Sequence, residues 1–259
     1  MFEKLVADVK FIEGDYEEAA KLYYEGAREG SEIAAFNYGY LLWRGLGVPY
    51  DPKEAKSFFS FAKEMQGGEA AYNIAMLYLS GEGVIKNYKK AVEYLSISAS
   101  KGCVEAQLYL GMAYTLGCVY DPDIVGICMI PCHKPEYREE ILMLDGDVSD
   151  FEVDEARRYS AIEQDGKRAF DYFKLASRNT NYYVKDLVAK GKFLYARCFV
   201  DGLGTDFDRD KSVRLMFAAE ASGSAEAAAY IAENGLTRDM LTASAPVNRR
   251  LGYGRKYYK

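Results

Sequence analysis

Apolar residues recur at three- and four-residue spacings over residues 70–79, where Ile74, Leu77 and Tyr78 fall on one face of a helix. The pattern predicts an amphipathic helix that ends at Gly81. Glycine is suited to this end because it takes the left-handed conformation that closes a helix without a Cβ penalty.

A second helical pattern follows the glycine loop. Asn87 can accept hydrogen bonds from the orphan N–H groups at the start of a helix, and Ala91, Leu95 and Ser98 repeat at helical spacing. The stretch therefore predicts a second helix, which ends at Lys101-Gly102, and the two helices form a pair.

Copies of this helix pair occur before and after it in one register. The copied positions lie 36 residues apart and are Gly45, Gly81 and Gly117 in the loop and Ala34, Ala70 and Ala106 in the first helix. A fixed period of this length is the signature of stacked helical pairs. The spacing therefore predicts an all-α fold, an α/α solenoid.

Glycines are expected to shape each loop, and a short polar residue is expected to cap each second helix. The loop glycines are Gly45, Gly47, Gly81, Gly83, Gly117, Gly202 and Gly204, and the cap residues are Asp51, Asn87, Asp165 and Asp208. Small residues such as Gly39, Ala75 and Gly111 recur where the two helices of a pair must approach closely.

These positions combine into the pattern A-x-x-x-L-G-x-x-Y-x-x-G-x-G-V, then D/N-x-x-K-A, then A-x-x-G-x-x-E-A. The pattern resembles the Sel-1-like repeat, a relative of the tetratricopeptide repeat with a slightly longer period. The resemblance covers nearly the whole chain except an insertion and the tail. It implies a right-handed α/α superhelix that serves as a non-enzymatic adaptor for protein assembly, and we expect no cofactor.

The chain is expected to form a single helical-repeat solenoid over residues 1–235, followed by a basic C-terminal tail over residues 236–259. The fourth pair is interrupted, because its second helix resumes at Asp165, 42 residues later than two periods from Asp51 would place it. We therefore expect a loop insertion at about residues 121–163, on one edge of the solenoid, where extra chain least disturbs stacking.

The formal charge of −6 argues against a nucleic-acid partner, since such binding rests on many Lys and Arg contacts with phosphates. It favours a basic or polar client. The sequence has no apolar run near the roughly 18 residues that span a bilayer, and its first residues lack the apolar core of a signal peptide. The five cysteines do not recur once per repeat, unlike the disulfide ladder of some secreted relatives. These features predict a cytoplasmic protein without membrane contact.

The insertion carries the residues that could do chemistry. Cys128, Cys132 and His133, with Cys118 as a fourth ligand, suggest a zinc site, but adjacent Cys132 and His133 cannot easily both face one ion. The acidic run over residues 145–155 is expected to be a solvated face. The alternative function is a hydrolase-like or metal-dependent activity in residues 121–163, although those residues contain no Ser-x-x-Lys box of the kind that β-lactam hydrolysis would need.

The favoured function is binding of a protein or peptide client along the concave face of the superhelix. The candidate residues on that face are Asn37, Tyr38, Tyr40, Tyr72, Asn73, Tyr109 and Arg197. Trp43 either packs against the neighbouring repeat or anchors a client. The tail combines Arg and Tyr, which makes self-association through it a further possibility.

Overall fold

The computed structural model describes residues 2–64, 68–119, 161–180 and 184–241. Within these ranges the secondary structure consists of eleven α-helices and two 3₁₀ turns, without a strand. The prediction of an all-α chain of the α/α solenoid class is confirmed. Most of the expected insertion, with Cys128, Cys132 and His133, lies outside the described residues.

The described helices group into two compact units, in which consecutive helices pack against each other. The first unit contains residues up to Ala106, and the second contains Gln107–Cys118 and residues from Ile162 onwards. The helices of the first unit are α1 (Phe2–Glu13), α2 (Tyr16–Arg28), α3 (Glu32–Arg44), α4 (Pro52–Phe61), α5 (Glu69–Ser80) and α6 (Tyr88–Ser100). The second unit holds most of α7 (Val104–Leu116), then α8 (Gly166–Ala176), α9 (Lys185–Asp201), α10 (Arg209–Glu220) and α11 (Ala225–Glu233). The 3₁₀ turns are Ala62–Glu64 and Arg238–Leu241.

The second helix of each pair begins at an Asp or Asn that caps it. The side chain accepts a hydrogen bond from the backbone N–H three residues later, at donor–acceptor distances between 2.8 and 3.4 Å. The capping residues are Asp15, Asp51, Asn87, Asp165 and Asp208. Each cap satisfies an N–H group that the helix leaves unpaired, which typically stabilises a helix by about 1 kcal/mol.

The loop glycines share a left-handed backbone conformation that costs other residues about 1–2 kcal/mol. The φ angle lies between +64° and +82° at Gly45, Gly47, Gly81, Gly83, Gly117, Gly202 and Gly204. The first of the two loop glycines ends the first helix of the pair, as Gly45, Gly81 and Gly202 do for α3, α5 and α9.

A backbone hydrogen bond closes each loop at the same place. The N–H of Asp51 donates to the carbonyl of Leu42, nine residues earlier, at 2.9 Å. In the interrupted pair, the N–H of Asp165 donates to the carbonyl of Tyr114, also at 2.9 Å, although 51 residues separate the two. The extra chain is therefore accommodated between α7 and α8 without opening this contact.

The second glycine of a loop also touches the main chain of the preceding pair, at the first turn of its second helix. The contacts join Gly47 to Tyr16, Gly83 to Lys53 and Gly204 to Gly166, where an added Cβ would lie 2.2, 2.5 and 2.1 Å from a backbone atom. A separation under 3.0 Å leaves no space for a side chain. Within each unit, these neighbouring pairs are thus stacked through contacts that only glycine allows.

Inside each pair, a small residue on the first helix faces a larger one on the second. An added Cβ on Gly39 would lie 2.9 Å from the ring of Phe59, and one on Gly111 would lie 2.5 Å from the ring of Phe173. The repeat register pairs Ala75 with Leu95 and Ala196 with Met216, and all four are fully buried. A glycine on the first helix therefore faces a phenylalanine on the second, whereas an alanine faces the narrower Leu or Met.

Candidate partner-binding surface

Most of the side chains expected on the concave face lie in the interior. The exposed fraction is 2% for Asn37, 9% for Tyr40, 1% for Tyr72, 0% for Asn73 and 1% for Tyr109. Helix α5 is buried along its whole length from Glu69 to Leu79. Polar side chains on such a helix therefore do not indicate an exposed face. Of the predicted set, Tyr38 and Arg197 are accessible.

Arg197 is held within the second unit. Its guanidinium makes charge-assisted hydrogen bonds to both carboxylate oxygens of Asp201, at 3.1 and 3.0 Å, and lies 5.2 Å from the centre of the Tyr230 ring. The side chain is 16% exposed. The guanidinium donors are therefore largely directed to Asp201, which leaves little of Arg197 for a partner.

Tyr38 belongs to a cluster with Tyr24 and Phe58 on three successive helices, α2, α3 and α4. The ring centres lie 5.2 Å apart for Tyr24 and Tyr38, and 4.7 Å apart for Tyr38 and Phe58. Tyr24 is 41% exposed, while Tyr38 and Phe58 are partly exposed. We call these three residues the aromatic surface.

The electrostatic environment of the aromatic surface is acidic on one side. Partial burial raises the pKa of the Tyr38 hydroxyl, and the neighbouring carboxylate of Glu54 raises it further. The hydroxyl is therefore a neutral hydrogen-bond donor and acceptor at physiological pH. Ring faces next to a carboxylate suit a cationic or polar side chain on a partner.

A repeated contact between a cation and an aromatic ring joins the helices of three pairs. The third residue after the cap lies over a ring on the first helix, at 5.3 Å for Lys90 and Tyr78, 5.2 Å for Arg168 and Tyr114, and 4.4 Å for Lys211 and Phe199. The corresponding residues in the α3–α4 pair are Leu42 and Glu54. Aligning the repeats in register would have revealed this series, whereas a single repeat inspected alone does not.

Trp43 contacts the neighbouring repeat. Its indole Nε1 donates a hydrogen bond to the carboxylate of Glu82, which lies in the loop of the next pair. Tyr40 and Arg44 also lie close to the ring, at 6.2 and 5.7 Å from its centre. Of the two interpretations of Trp43, the structure therefore favours packing between repeats.

Three cysteines, Cys103, Cys118 and Cys198, are buried. Burial raises the pKa of the Cys198 thiol to about 12, and the nearby Asp201 adds to the shift. Burial, followed by the charge of Glu105, also holds the pKa of Cys103 well above its usual range. Among the residues that the structure describes, no three Cys, His, Asp or Glu side chains form a metal-binding group.

We expect Cys103 and Cys198 to react with iodoacetamide at pH 8 at least about a hundredfold more slowly in the folded protein than in 6 M guanidinium. The thiolate is the reactive form, and a raised pKa together with burial removes it. Mass spectrometry of the two cysteine-containing peptides over time measures both rates. Prompt labelling of either thiol in the folded protein contradicts the buried environment described above.

The repeated geometry can be compared with known proteins. The family model described as Sel1 repeat matches residues 10–31, 33–66, 68–103 and 158–181. The chain is a Sel1-repeat protein. The α9–α10 pair lies outside the matched residues, yet it has the same loop glycines, Gly202 and Gly204, and the same cap, Asp208. Sel1-repeat proteins generally mediate interactions between proteins.

Two relatives of this Sel1-repeat protein are longer than it is. It is 30% identical over 125 residues to chitin synthase regulatory factor 3 of Schizosaccharomyces pombe, which covers 47% of this chain and 13% of that protein. The crystal structure of a Sel1 repeat protein from Oxalobacter formigenes superposes with a TM-score of 0.59 at 19% identity, over 85% of this chain and 49% of the other. The chain thus spans about half of the solved relative, and the likeness supports the fold. None of the described helices is long and apolar enough to cross a bilayer.

Proposed function

We propose that this Sel1-repeat protein is a non-enzymatic scaffold that binds a protein or peptide client through the aromatic surface of Tyr24, Tyr38 and Phe58. The observation that carries the proposal is the exposure of three clustered rings on successive helices. Aromatic side chains dominate the energy of protein interfaces because they bury a large rigid area. Solvent-exposed clusters of this kind are therefore favourable anchor points for a partner.

The client segment is expected to carry Arg, Lys or polar side chains. Glu54 lies beside Tyr38, and the whole chain has a formal charge of −6. A guanidinium or ammonium group over a tyrosine ring gains about 0.5–2 kcal/mol, depending on how far the pair is desolvated. A relative named as a regulatory factor is compatible with a role in binding another protein. Binding along a concave face that includes Tyr38 stays a prediction, as does a cytoplasmic location.

The alternative function, a hydrolase-like or metal-dependent activity in residues 121–163, concerns residues that are mostly outside the described ranges. The described residues contain no observation that favours it.

In affinity capture from cells of the source organism, we expect the amount of client bound by the double variant Tyr24→Ala/Tyr38→Ala to fall about tenfold or more below that of wild type. The loss of two interface rings costs at least about 1.4 kcal/mol, which is tenfold in binding. Quantitative mass spectrometry of the proteins captured by wild type and variant measures the loss.

Ile85→Ala provides the matched control, because Ile85 is a 91% exposed apolar side chain in the same unit but in the loop between α5 and α6, whereas the aromatic surface lies on α2, α3 and α4. The control should retain the wild-type set of captured proteins, and circular dichroism should show equal helicity for all three proteins. If the double variant captures the same proteins in the same amounts as wild type, the aromatic surface is not the binding site.

A further inference from the structure

The stacking contacts between pairs predict what should lie against the last second helix, α10. For three of the four earlier second helices, α2, α4 and α8, the second glycine of the following loop lies against the first turn of the helix, as Gly83 does at Lys53 and Gly204 does at Gly166. The residue between the two loop glycines also takes part. Glu82 lies close to the hydroxyl of Tyr50, the residue before the cap of the preceding helix; partial burial raises the pKa of Tyr50, and the Glu82 carboxylate raises it further.

The first turn of α10 lacks this partner in the described part of the chain. Helix α11 begins after the cap residue Ser224, as α3 begins after Ser31, but it has nine residues where α3 has 13. Gly235 follows α11 and has no atom within 4 Å of the place of a Cβ. Within residues 184–241, α10 therefore has no loop stacked on its first turn of the kind that α2, α4 and α8 have.

An open groove occupies the place of the missing loop. Its volume is about 60 Å³, and its walls come from α10, α11 and the chain on either side of them. The lining residues include Phe207, Arg209, Val213, Tyr230, Asn234 and Leu236. Phe207, which precedes the cap Asp208 as Tyr50 precedes Asp51, is 50% exposed, close to the 56% of Tyr50. The apolar lining of the groove is what gains free energy when the groove is covered.

The C-terminal tail contains the sequence that would complete the groove. Gly252-Tyr253-Gly254 repeats the G-x-G spacing of the three loops, and Leu251 precedes it. Ten residues lie between Leu241 and Gly252, and this stretch can span up to about 35 Å. The tail begins at the groove, since Leu236 is one of its walls. A tethered segment acts at a high effective concentration.

Charge also favours this occupant. Residues 236–259 contain six basic side chains and one acidic side chain, Asp239. The loop and first turn beside Phe207 expose three carboxylates, those of Asp206, Asp208 and Asp210. The tail is already anchored at its start, because Arg238 pairs with Glu220 at 3.6 Å.

We propose that Gly252-Tyr253-Gly254 of the same chain binds in this groove and stacks on the first turn of α10, with Tyr253 against Phe207. The basic residues around the G-x-G sequence then lie near the carboxylates of the α10 loop. The tail then supplies the stacking loop for α10 and occupies the groove in place of a second copy or another protein. This inference is independent of the aromatic surface, which lies in the other unit.

A photoreactive residue in the full-length chain tests the proposal. Phe207→p-benzoyl-phenylalanine places the probe in the groove at a side chain that is half exposed and so tolerates replacement. On irradiation at micromolar protein concentration, we expect an intramolecular cross-link to the peptide that contains residues 251–255, identified by mass spectrometry. The matched control is Tyr50→p-benzoyl-phenylalanine, which occupies the equivalent position where Glu82 and Gly83 already lie, and it should not cross-link to the tail.

The variant Gly254→Val in the same background should lower the yield of this cross-link at least about tenfold, because a side chain at the second glycine cannot approach the backbone of α10. A cross-linked dimer on a denaturing gel shows that a second copy fills the groove and overturns the proposal. Cross-linking to other segments only, the absence of any cross-link, or an unchanged yield with Gly254→Val also overturns it.

Discussion

Gly47→Ala is expected to lower the free energy of unfolding by about 2–4 kcal/mol, whereas Gly30→Ala lowers it by about 1 kcal/mol. Both glycines have positive φ, +67° and +94°, so both replacements carry the strain of a left-handed alanine. They differ in their surroundings. A Cβ at position 47 would lie 2.2 Å from the backbone of Tyr16, whereas nothing lies within 4 Å of the corresponding point at position 30.

Urea unfolding followed by far-ultraviolet circular dichroism measures the two changes, and hydrogen exchange at the start of α2 reports where the structure loosens. The first turn of α2 should exchange faster in Gly47→Ala and at the wild-type rate in Gly30→Ala. Equal losses of stability in the two variants would show that backbone conformation alone, without the stacking contact, requires glycine in the loop.

Gly111→Ala and Phe173→Leu are each expected to destabilise the protein, while the double variant recovers most of the loss. Alanine at 111 forces its Cβ into the ring of Phe173, 2.5 Å away, and such overpacking costs about 1–3 kcal/mol. Leucine at 173 leaves a void beside Gly111 at a cost of about 1–2 kcal/mol. Together they reproduce the Ala75 and Leu95 combination that the protein already uses.

A double-mutant cycle in urea measures the coupling between the two positions, which should favour the double variant by about 1–3 kcal/mol. The reverse exchange, Ala75→Gly/Leu95→Phe, provides a matched control in the first unit and should show coupling of the same sign. Strictly additive losses in both cycles would mean that the two residues of a pair do not constrain each other's volume.

The features that the sequence predicted well depend on a few neighbouring residues. A cap such as Asn87 needs an N–H group three residues later, and a loop glycine such as Gly81 needs a helix end, so the repeat register alone predicts both. The small residues Gly39 and Gly111 were also placed correctly, because their function depends on the partner helix in the same pair. The closer contact of Gly47 with Tyr16 was not predicted, since it joins two different repeats.

The exposure of the candidate binding residues was harder to predict, because it depends on what covers each helix. Tyr72 and Asn73 occupy α5, which is buried from Glu69 to Leu79, so helical periodicity does not distinguish a covered side from an open one. Tyr38 corresponds in the 36-residue register to the buried Ile74 of α5, but it keeps partial exposure beside Tyr24. The exposure of a repeat side chain is determined by its neighbours in space, and a single sequence does not contain that information directly.

The hydrogen bond from Asp165 to Tyr114 makes the junction between α7 and α8 a natural attachment point. The chain leaves the pair near Gly117 and returns at Gln164, where an added Cβ on the glycine would lie 2.9 Å from the backbone nitrogen of the glutamine. Two chain ends held this close can carry a whole inserted module, because the entropy of closing a loop grows only slowly with its length. A fluorescent protein or an affinity domain with neighbouring termini could be grafted between these residues, which gives the protein a reporter without occupying either end of the chain.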